Sequence, residues 1–173
     1  MDISTITEAF SDVTVQSPTV GVMLAGLLAV ALVFLSAFAS GSEIAFFSLS
    51  PSDVAELEDG KNPSDRKIQM LREDSERTLA TILITNNFVN VMIVMLLSNI
   101  FVSIVKFGPK AYWLEFLIMT VFLTFLLLLF GEIMPKVYCR QNPLRFCRRC
   151  VDAILFARKI FWPIETILLK SGM

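Results

Sequence analysis

The sequence predicts an all-α integral membrane protein with three transmembrane helices. Of its 173 residues, 55% are hydrophobic and only 18% are charged, with a mean hydropathy of +0.68, whereas an ordinary soluble domain has about 25% charged residues. Three apolar runs have about the 20 residues that a helix needs to cross a bilayer, and they are too long for the strands of a membrane barrel. These observations leave a helical bundle.

The first apolar run extends from Val20 to Ala39 and continues in a helical pattern to Phe47. Segment 1–19 before it contains acidic residues but no Lys or Arg, so it lacks the positive region that begins a cleavable signal peptide. We therefore interpret this run as a retained helix and segment 1–19 as an extracytoplasmic N-terminal segment.

The loop after the first run predicts a short helical pair within residues 50–77. Ser50 and Asn62 each precede a proline at the first helical position, with an aspartate two residues after that proline. Gly60 is expected to end the first helix, and the second should run to about Arg72.

The second apolar run extends from Thr78 to Val105, and the third extends from Tyr112 to Phe130. The third is followed at once by Gly-Glu-Ile-Met-Pro-Lys at 131–136. The predicted transmembrane domain therefore covers residues 20–136. Three amides interrupt the second run: Asn86, Asn87 and Asn90.

Residues 137–173 predict a juxtamembrane amphipathic region. From Pro143 to Lys170, large apolar residues alternate with basic ones, which is typical of a helix lying on a membrane surface, and Pro163 is expected to break it. Each basic residue near anionic lipid contributes about 1 kcal/mol, so we expect membrane lipids as partners. The basic residues concerned are Arg145, Arg148, Arg149, Arg158 and Lys159.

The distribution of Lys and Arg predicts the orientation in the membrane. None precedes the first run, two lie between the second and third runs, and thirteen lie in the loop 50–77 or after the third run. Because basic residues are retained in the cytoplasm, the N-terminus is predicted outside, with the helical pair and the C-terminal region in the cytoplasm.

Composition also excludes several classes of function. The net charge of −1 provides no basic field for nucleic acid. With no His and only three Cys, the chain lacks the usual residues of zinc sites and of Ser-His-Asp catalysis, so we expect no enzyme activity. Cys147 and Cys150 form a CxxC spacing without a second pair, and we interpret them as reduced cytoplasmic thiols.

Polar residues within the apolar runs are the candidate functional groups, because a carboxylate at the centre of a bilayer costs roughly 2.5–3.5 kcal/mol. Three clusters lie in the predicted inner half of the membrane. Helix packing, hydrogen bonds between helices and snorkelling to the interface are the structural alternatives. The clusters are Ser36, Ser40 and Glu43 at i, i+4 and i+7, then Asn86 and Asn90 at i and i+4, and finally Glu132 just before Pro135.

These clusters supply carboxylate, amide and hydroxyl oxygens without imidazole or thiolate. Pro135 disrupts the helix around it, so backbone oxygens near Gly131 or Met134 also lose their helical partners. Such an environment of hard oxygens suits Mg²⁺, Ca²⁺ or Na⁺ better than a transition metal.

Three motifs carry a family resemblance. Ser-Gly-Ser-Glu-Ile-Ala-Phe-Phe-Ser at 40–48, the paired-asparagine stretch at 79–90 and Phe-Gly-Glu-Ile-Met-Pro-Lys at 130–136 occur in order. Together they resemble the transmembrane DUF21 domain of the CorC/CNNM family of magnesium transporters. The resemblance implies a homodimer of three-helix subunits, a belt helix after the third span, a Mg²⁺ site on the cytoplasmic side and cytoplasmic CBS domains downstream of this chain.

On this resemblance, the expected function is membrane transport of Mg²⁺, in the export direction and coupled to Na⁺. The alternative is a scaffold or ion sensor that does not transport, such as a gliding or secretion accessory component, because residues 43–48 also resemble the gliding-motility branch of the family. The candidate ligands are Ser40, Ser42, Glu43, Asn86, Asn90 and Glu132.

Overall fold

The computed structural model describes residues 13–108 and 111–171, with side chains described for 13–108 and 111–163. The acidic residues of the predicted N-terminal segment 1–19 lie within residues 1–12, which are outside the described residues.

Within the described residues, three helices are long and apolar enough to cross a membrane, which confirms the predicted all-α membrane architecture. The first is α1, Val20–Phe47. The second is α4, Ser75–Ile104. The third is composite, and it consists of α5 (Tyr112–Leu126), a π-helical segment (Leu127–Ile133) and α6 (Met134–Cys139).

The predicted helical pair is present as α2, Pro51–Glu58, and α3, Asp65–Glu73. Ser50 caps α2 through a capping box with Asp53, and Gly60 takes a positive φ of 61° just after the helix. The expected start of the second helix at Pro63 is wrong. Asn62 instead closes a turn with Asp65, whose Oδ2 accepts the Asn62 N–H at 3.0 Å, and this turn delays the helix by two residues.

A short antiparallel strand pair, absent from the sequence prediction, lies at the opposite end of the bundle. Strand β1, Thr14–Val15, pairs with β2, Val105–Lys106. The N–H of Gln16 also donates to the carbonyl of Ile104 at 2.8 Å. These bonds tie the segment before α1 to the end of α4.

The juxtamembrane region forms one helix, α7, Pro143–Ser171, which we call the belt helix. The predicted break at Pro163 is wrong, because the helix continues through this residue. A proline removes one N–H donor, but its fixed φ is compatible with helix. The predicted domain boundary at residue 136 lies within α6.

Helix α1 is the centre of the packing, since α4, the π-helical segment, α6 and the belt helix all contact it. The largest buried cluster joins the helical pair to the belt helix and includes Leu57, Ile68 and Leu71. The belt helix contributes Leu144, Cys147, Cys150, Val151 and Ile154 to the same cluster. One face of the belt helix is therefore protein core.

Candidate functional site

Three polar side chains meet between α1 and α4, and a fourth lies one helical turn away on α1. Ser36 and Ser40 of α1 are fully buried, Asn86 of α4 is buried and Asn90 is half-buried. Ser36 lies about 16 Å from the end of α1 at Phe47, at 1.5 Å per residue, and Asn86 lies equally far from the start of α4. We call Ser36, Ser40, Asn86 and Asn90 the buried oxygen cluster.

Ser36 is the meeting point of the two asparagines. Its Oγ lies 3.1 Å from Oδ1 of Asn86 and 2.5 Å from Oδ1 of Asn90. A hydroxyl has one hydrogen to donate, so the two asparagine oxygens compete for the single hydrogen of Ser36. The excess of acceptors makes the pocket favourable for a cation.

Ser40 lies one helical turn from Ser36, towards the helical pair. Its residue is fully buried, and its Oγ has no hydrogen-bond partner among the described residues. Leaving a buried hydroxyl unsatisfied costs about 1–3 kcal/mol, so such a group calls for an explanation. A ligand that accepts the Ser40 oxygen lone pair would provide one.

The third span approaches the cluster at Gly131, within the π-helical segment. A Cβ added there would lie only 3.1 Å from Oγ of Ser36, so a side chain would crowd this serine. The N–H of Met134 bonds to the carbonyl of Leu129, which is the i→i+5 pattern of a π-helix. Because Pro135 has no N–H, the preceding turn also loses one helical donor. Interruptions of this kind occur frequently at functional sites.

Glu132 follows Gly131 and is half-buried. Among the described residues, no three Cys, Asp or Glu side chains gather into a group able to hold a metal. Any cation at the buried oxygen cluster would therefore depend mainly on neutral oxygens.

Two of the predicted ligands are engaged elsewhere. Ser42 is buried and donates its hydroxyl hydrogen to the Phe38 carbonyl of its own helix at 2.7 Å. Glu43 forms an ion pair with Lys136, in which Oε2 lies 3.0 Å from Nζ, and the two side chains are 25% and 35% exposed. The structure therefore joins Asn86 and Asn90 through Ser36, with Ser40 one turn away on α1. It gives Ser42 and Glu43 separate partners.

Ser36 belongs to a polar cluster that the sequence predicts, but it is not among the candidate ligands. Its i–4 spacing from Ser40 was the available signal. The partnership of Lys136 with Glu43 had no comparable signal, because these residues are far apart in the chain and only the packing of α6 on α1 brings them together.

Ion pairs connect the belt helix to the helical pair. Nε of Arg148 donates to Oδ1 of Asp65 at 2.8 Å, and its Nη1 donates to Glu56 at 2.9 Å. The hydrogen bond from Arg148 holds the pKa of the buried Asp65 carboxyl below its ordinary value of 3.8, although burial opposes this shift. Arg158 likewise pairs with Asp74.

Arg148 and Arg158, two of the basic residues expected to contact lipid, thus have partners within the chain. Their guanidinium groups bind carboxylates of the same chain, which they meet because the belt helix packs against the helical pair. Arg145, Arg149 and Lys159 remain exposed.

The three cysteines are buried and unbridged. A hydrogen bond to the Cys150 thiol, together with burial, raises the pKa of the Cys147 thiol. The thiolate is the reactive form, so Cys147 has little nucleophilic character.

The sequence was compared with known proteins. The family model described as the cyclin M transmembrane N-terminal domain matches residues 27–173. A putative chloroplastic DUF21 domain-containing protein of Arabidopsis thaliana is 33% identical over 148 residues, which cover 86% of this chain and 21% of that protein.

Two further relatives come from an animal and a bacterium. Metal transporter cnnm-4 of Caenorhabditis elegans is 30% identical over 136 residues, covering 76% of this chain and 28% of the relative. A UPF0053 protein of Haemophilus influenzae is 30% identical over 134 residues, covering 78% and 30%. The chain thus spans less than a third of the length of these relatives. Since the family model covers most of the chain and agrees with the three-span fold, the chain belongs to the CNNM family and contains its transmembrane domain.

Proposed function

We propose that this domain transports Mg²⁺ across the membrane and binds it at the buried oxygen cluster together with Glu132. The observation that carries the proposal is the buried Oγ of Ser40, which has no hydrogen-bond partner among the described residues. This oxygen lies one turn from the site where two asparagine oxygens compete for the single hydrogen of Ser36.

The chemistry of the cluster supports a hard cation. Mg²⁺ prefers oxygen ligands and usually keeps several of its waters, so one carboxylate and a few neutral oxygens suit a partly hydrated ion. A site with few charges also binds weakly enough to release its ion, as transport requires. The relative that is named a metal transporter supports the same proposal, that a metal ion is transported.

We place the ion pair of Glu43 and Lys136 at the edge of this proposed site. Glu43 lies at i+3 from Ser40, and the ammonium group of Lys136 balances its charge in the ion pair. An arriving Mg²⁺ would compete with Lys136 for the carboxylate. In this proposal, Glu43 acts at the mouth of the pathway, and the remaining ligands act further inside.

The transport cycle and the assembly extend the proposal. We expect Mg²⁺ export driven by Na⁺ entry, with two copies of the chain forming a homodimer and CBS domains acting from the cytoplasm in the longer protein. The family resemblance of the three sequence motifs supports each of these expectations.

Flux in proteoliposomes tests the proposal. A Mg²⁺-sensitive dye reports the ion, and rates are normalised to the amount of inserted protein. Glu132→Gln should abolish flux, because it removes the carboxylate while nearly preserving side-chain volume. Glu115→Gln is the matched control, since this residue lies in the first turn of α5, at the other end of the same span, and should leave flux unchanged. Equal flux in Glu132→Gln and the control would refute the proposed site.

A membrane scaffold that does not transport is the second candidate. The hydrogen bonds from Ser36 to Asn86 and Asn90 favour it, because such bonds also hold transmembrane helices together. In a scaffold, the wild-type protein would show no Mg²⁺ flux, and Ser36→Ala would lower only thermal stability. In a transporter, Ser36→Ala would also lower flux per inserted protein.

A further inference from the structure

A cavity of about 320 Å³ lies between α1, α4 and the belt helix, on a different side of α1 from the buried oxygen cluster. It extends from Leu32 near the middle of α1 to Ser42, and the belt helix closes its lower end with Ala153 and Ala157.

The cavity opens on the lipid-facing surface. Three of the side chains that line it are more than half exposed: Phe88, Phe156 and Ile160.

The wall of this cavity is apolar in its chemistry. Three hydroxyl residues line it, but each donates its hydrogen to a carbonyl of its own helix. Ser42 donates to Phe38, Thr81 donates to Arg77 and Thr85 donates to Thr81, at 2.7, 2.8 and 2.8 Å. These hydroxyl hydrogens are therefore used within the helices, and the other residues of the wall are apolar, so the cavity offers few groups to hold water. The occupant must therefore be hydrocarbon.

A charged residue on the belt helix indicates which kind of molecule carries this hydrocarbon. Arg149, Ala153, Phe156 and Ile160 follow the spacing i, i+4, i+7 and i+11, so they share one face of the helix. Arg149 is exposed, and no ion pair engages it among the described side chains, whereas its neighbour Arg148 is bound to Asp65. The face that closes the cavity thus carries a free cation one turn away.

We propose that this cavity binds one acyl chain of an anionic phospholipid, whose phosphate is bound by Arg149. The acyl chain runs along α1 and α4 towards the middle of the membrane, and the headgroup stays at the level of the belt helix. The site is separate from the buried oxygen cluster, so the proposal does not depend on Mg²⁺ transport.

Native mass spectrometry of the detergent-purified protein tests the proposal. The protein is incubated with phosphatidylglycerol or phosphatidylcholine of identical chains, and retained lipid per chain is counted. The wild type should retain phosphatidylglycerol in preference. Arg149→Gln should reduce that preference about fivefold, the effect of removing about one basic contact at a lipid surface. Lys159→Gln, an equal loss of charge at an exposed residue on another face of the belt helix, should not reduce it.

A second pair of variants tests the cavity itself. Ala153→Phe fills its lower end from an exposed position and should reduce retention of both lipids. Ala31→Phe, at an exposed position of α1 outside the cavity, should leave retention unchanged. Equal retention in these two variants, or equal preference in Arg149→Gln and Lys159→Gln, would overturn the proposal. Conversion of a dimer to a monomer by Ala153→Phe would also overturn it, because a second copy would then cover this face.

Discussion

At Gly41, helix α1 lies close to the end of α6 and to the first turn of the belt helix, so an added methyl group should clash with both. An added Cβ there would lie 2.6 Å from Sγ of Cys139 and 3.2 Å from Cζ of Phe146. Ordinary non-bonded contacts between heavy atoms are about 3.5–4.0 Å, so the sulfur is about 1 Å too close. Both Gly41 and Cys139 are buried, which leaves the sulfur little room to move.

Gly41→Ala should therefore destabilise the protein by about 1–3 kcal/mol, the usual cost of overpacking a dense core. For a chain of this length, 1 kcal/mol shifts the unfolding temperature by about 2–4 °C. The expected decrease is thus about 2–12 °C. Thermal unfolding of the purified protein in one detergent, followed by loss of the folded peak in size-exclusion chromatography, measures it.

Two further variants make the cause specific. Gly26→Ala is the matched control on the same helix, since nothing lies within 4 Å of its added Cβ, and it should be neutral or slightly stabilising because alanine favours helix over glycine. Cys139→Ala removes the clashing sulfur, so adding Gly41→Ala to it should cost much less than in the wild type. If Gly41→Ala is as stable as Gly26→Ala, or if Cys139→Ala gives no rescue, the steric reasoning is wrong.

Two more predictions concern the charged end of the bundle and the orientation. Asp65→Asn should destabilise the protein by about 2 kcal/mol at pH 7, because it weakens a buried charged hydrogen-bond pair with Arg148. The folded pKa of Asp65 is lowered, so this stability is fully present above the ordinary value of 3.8 and is lost as the pH falls below it. A stability difference between wild type and variant that stays constant from pH 7 to pH 3 would contradict this. For orientation, an impermeant maleimide should label Ser17→Cys from outside intact cells but not Glu58→Cys, and the opposite pattern would reverse the predicted topology. Both positions are exposed, whereas the native cysteines are buried and should react little.

Local pattern was sufficient to predict the three membrane-spanning helices and the presence of the helical pair. The three spans follow from long apolar runs, because a chain in lipid must satisfy its backbone hydrogen bonds within each segment. Ser50 and Gly60 delimit α2 through side-chain capping and a positive φ, which are also local effects. The prediction failed at Pro63 because a turn closed by Asn62 delays the start of α3. It failed at Pro163 because the fixed φ of proline is compatible with a continuing helix.

For the candidate site, the sequence predicted which polar residues share a helix face but not how they pair. Helical spacing places Ser36 and Ser40 on one face of α1, and it places Asn86 and Asn90 on one face of α4. Residues four positions apart share a helix face, so this placement follows from the sequence alone.

Which groups pair across the bundle was decided by tertiary structure alone. The convergence of both asparagines on Ser36 and the capture of Glu43 by Lys136 join residues more than 45 positions apart. The pairing of Arg148 with Asp65 likewise joins residues 83 positions apart. Such pairs depend on the rotation and depth of each helix against its neighbours. Those quantities are set by the packing of all the helices together, and the pattern within any one helix does not contain them.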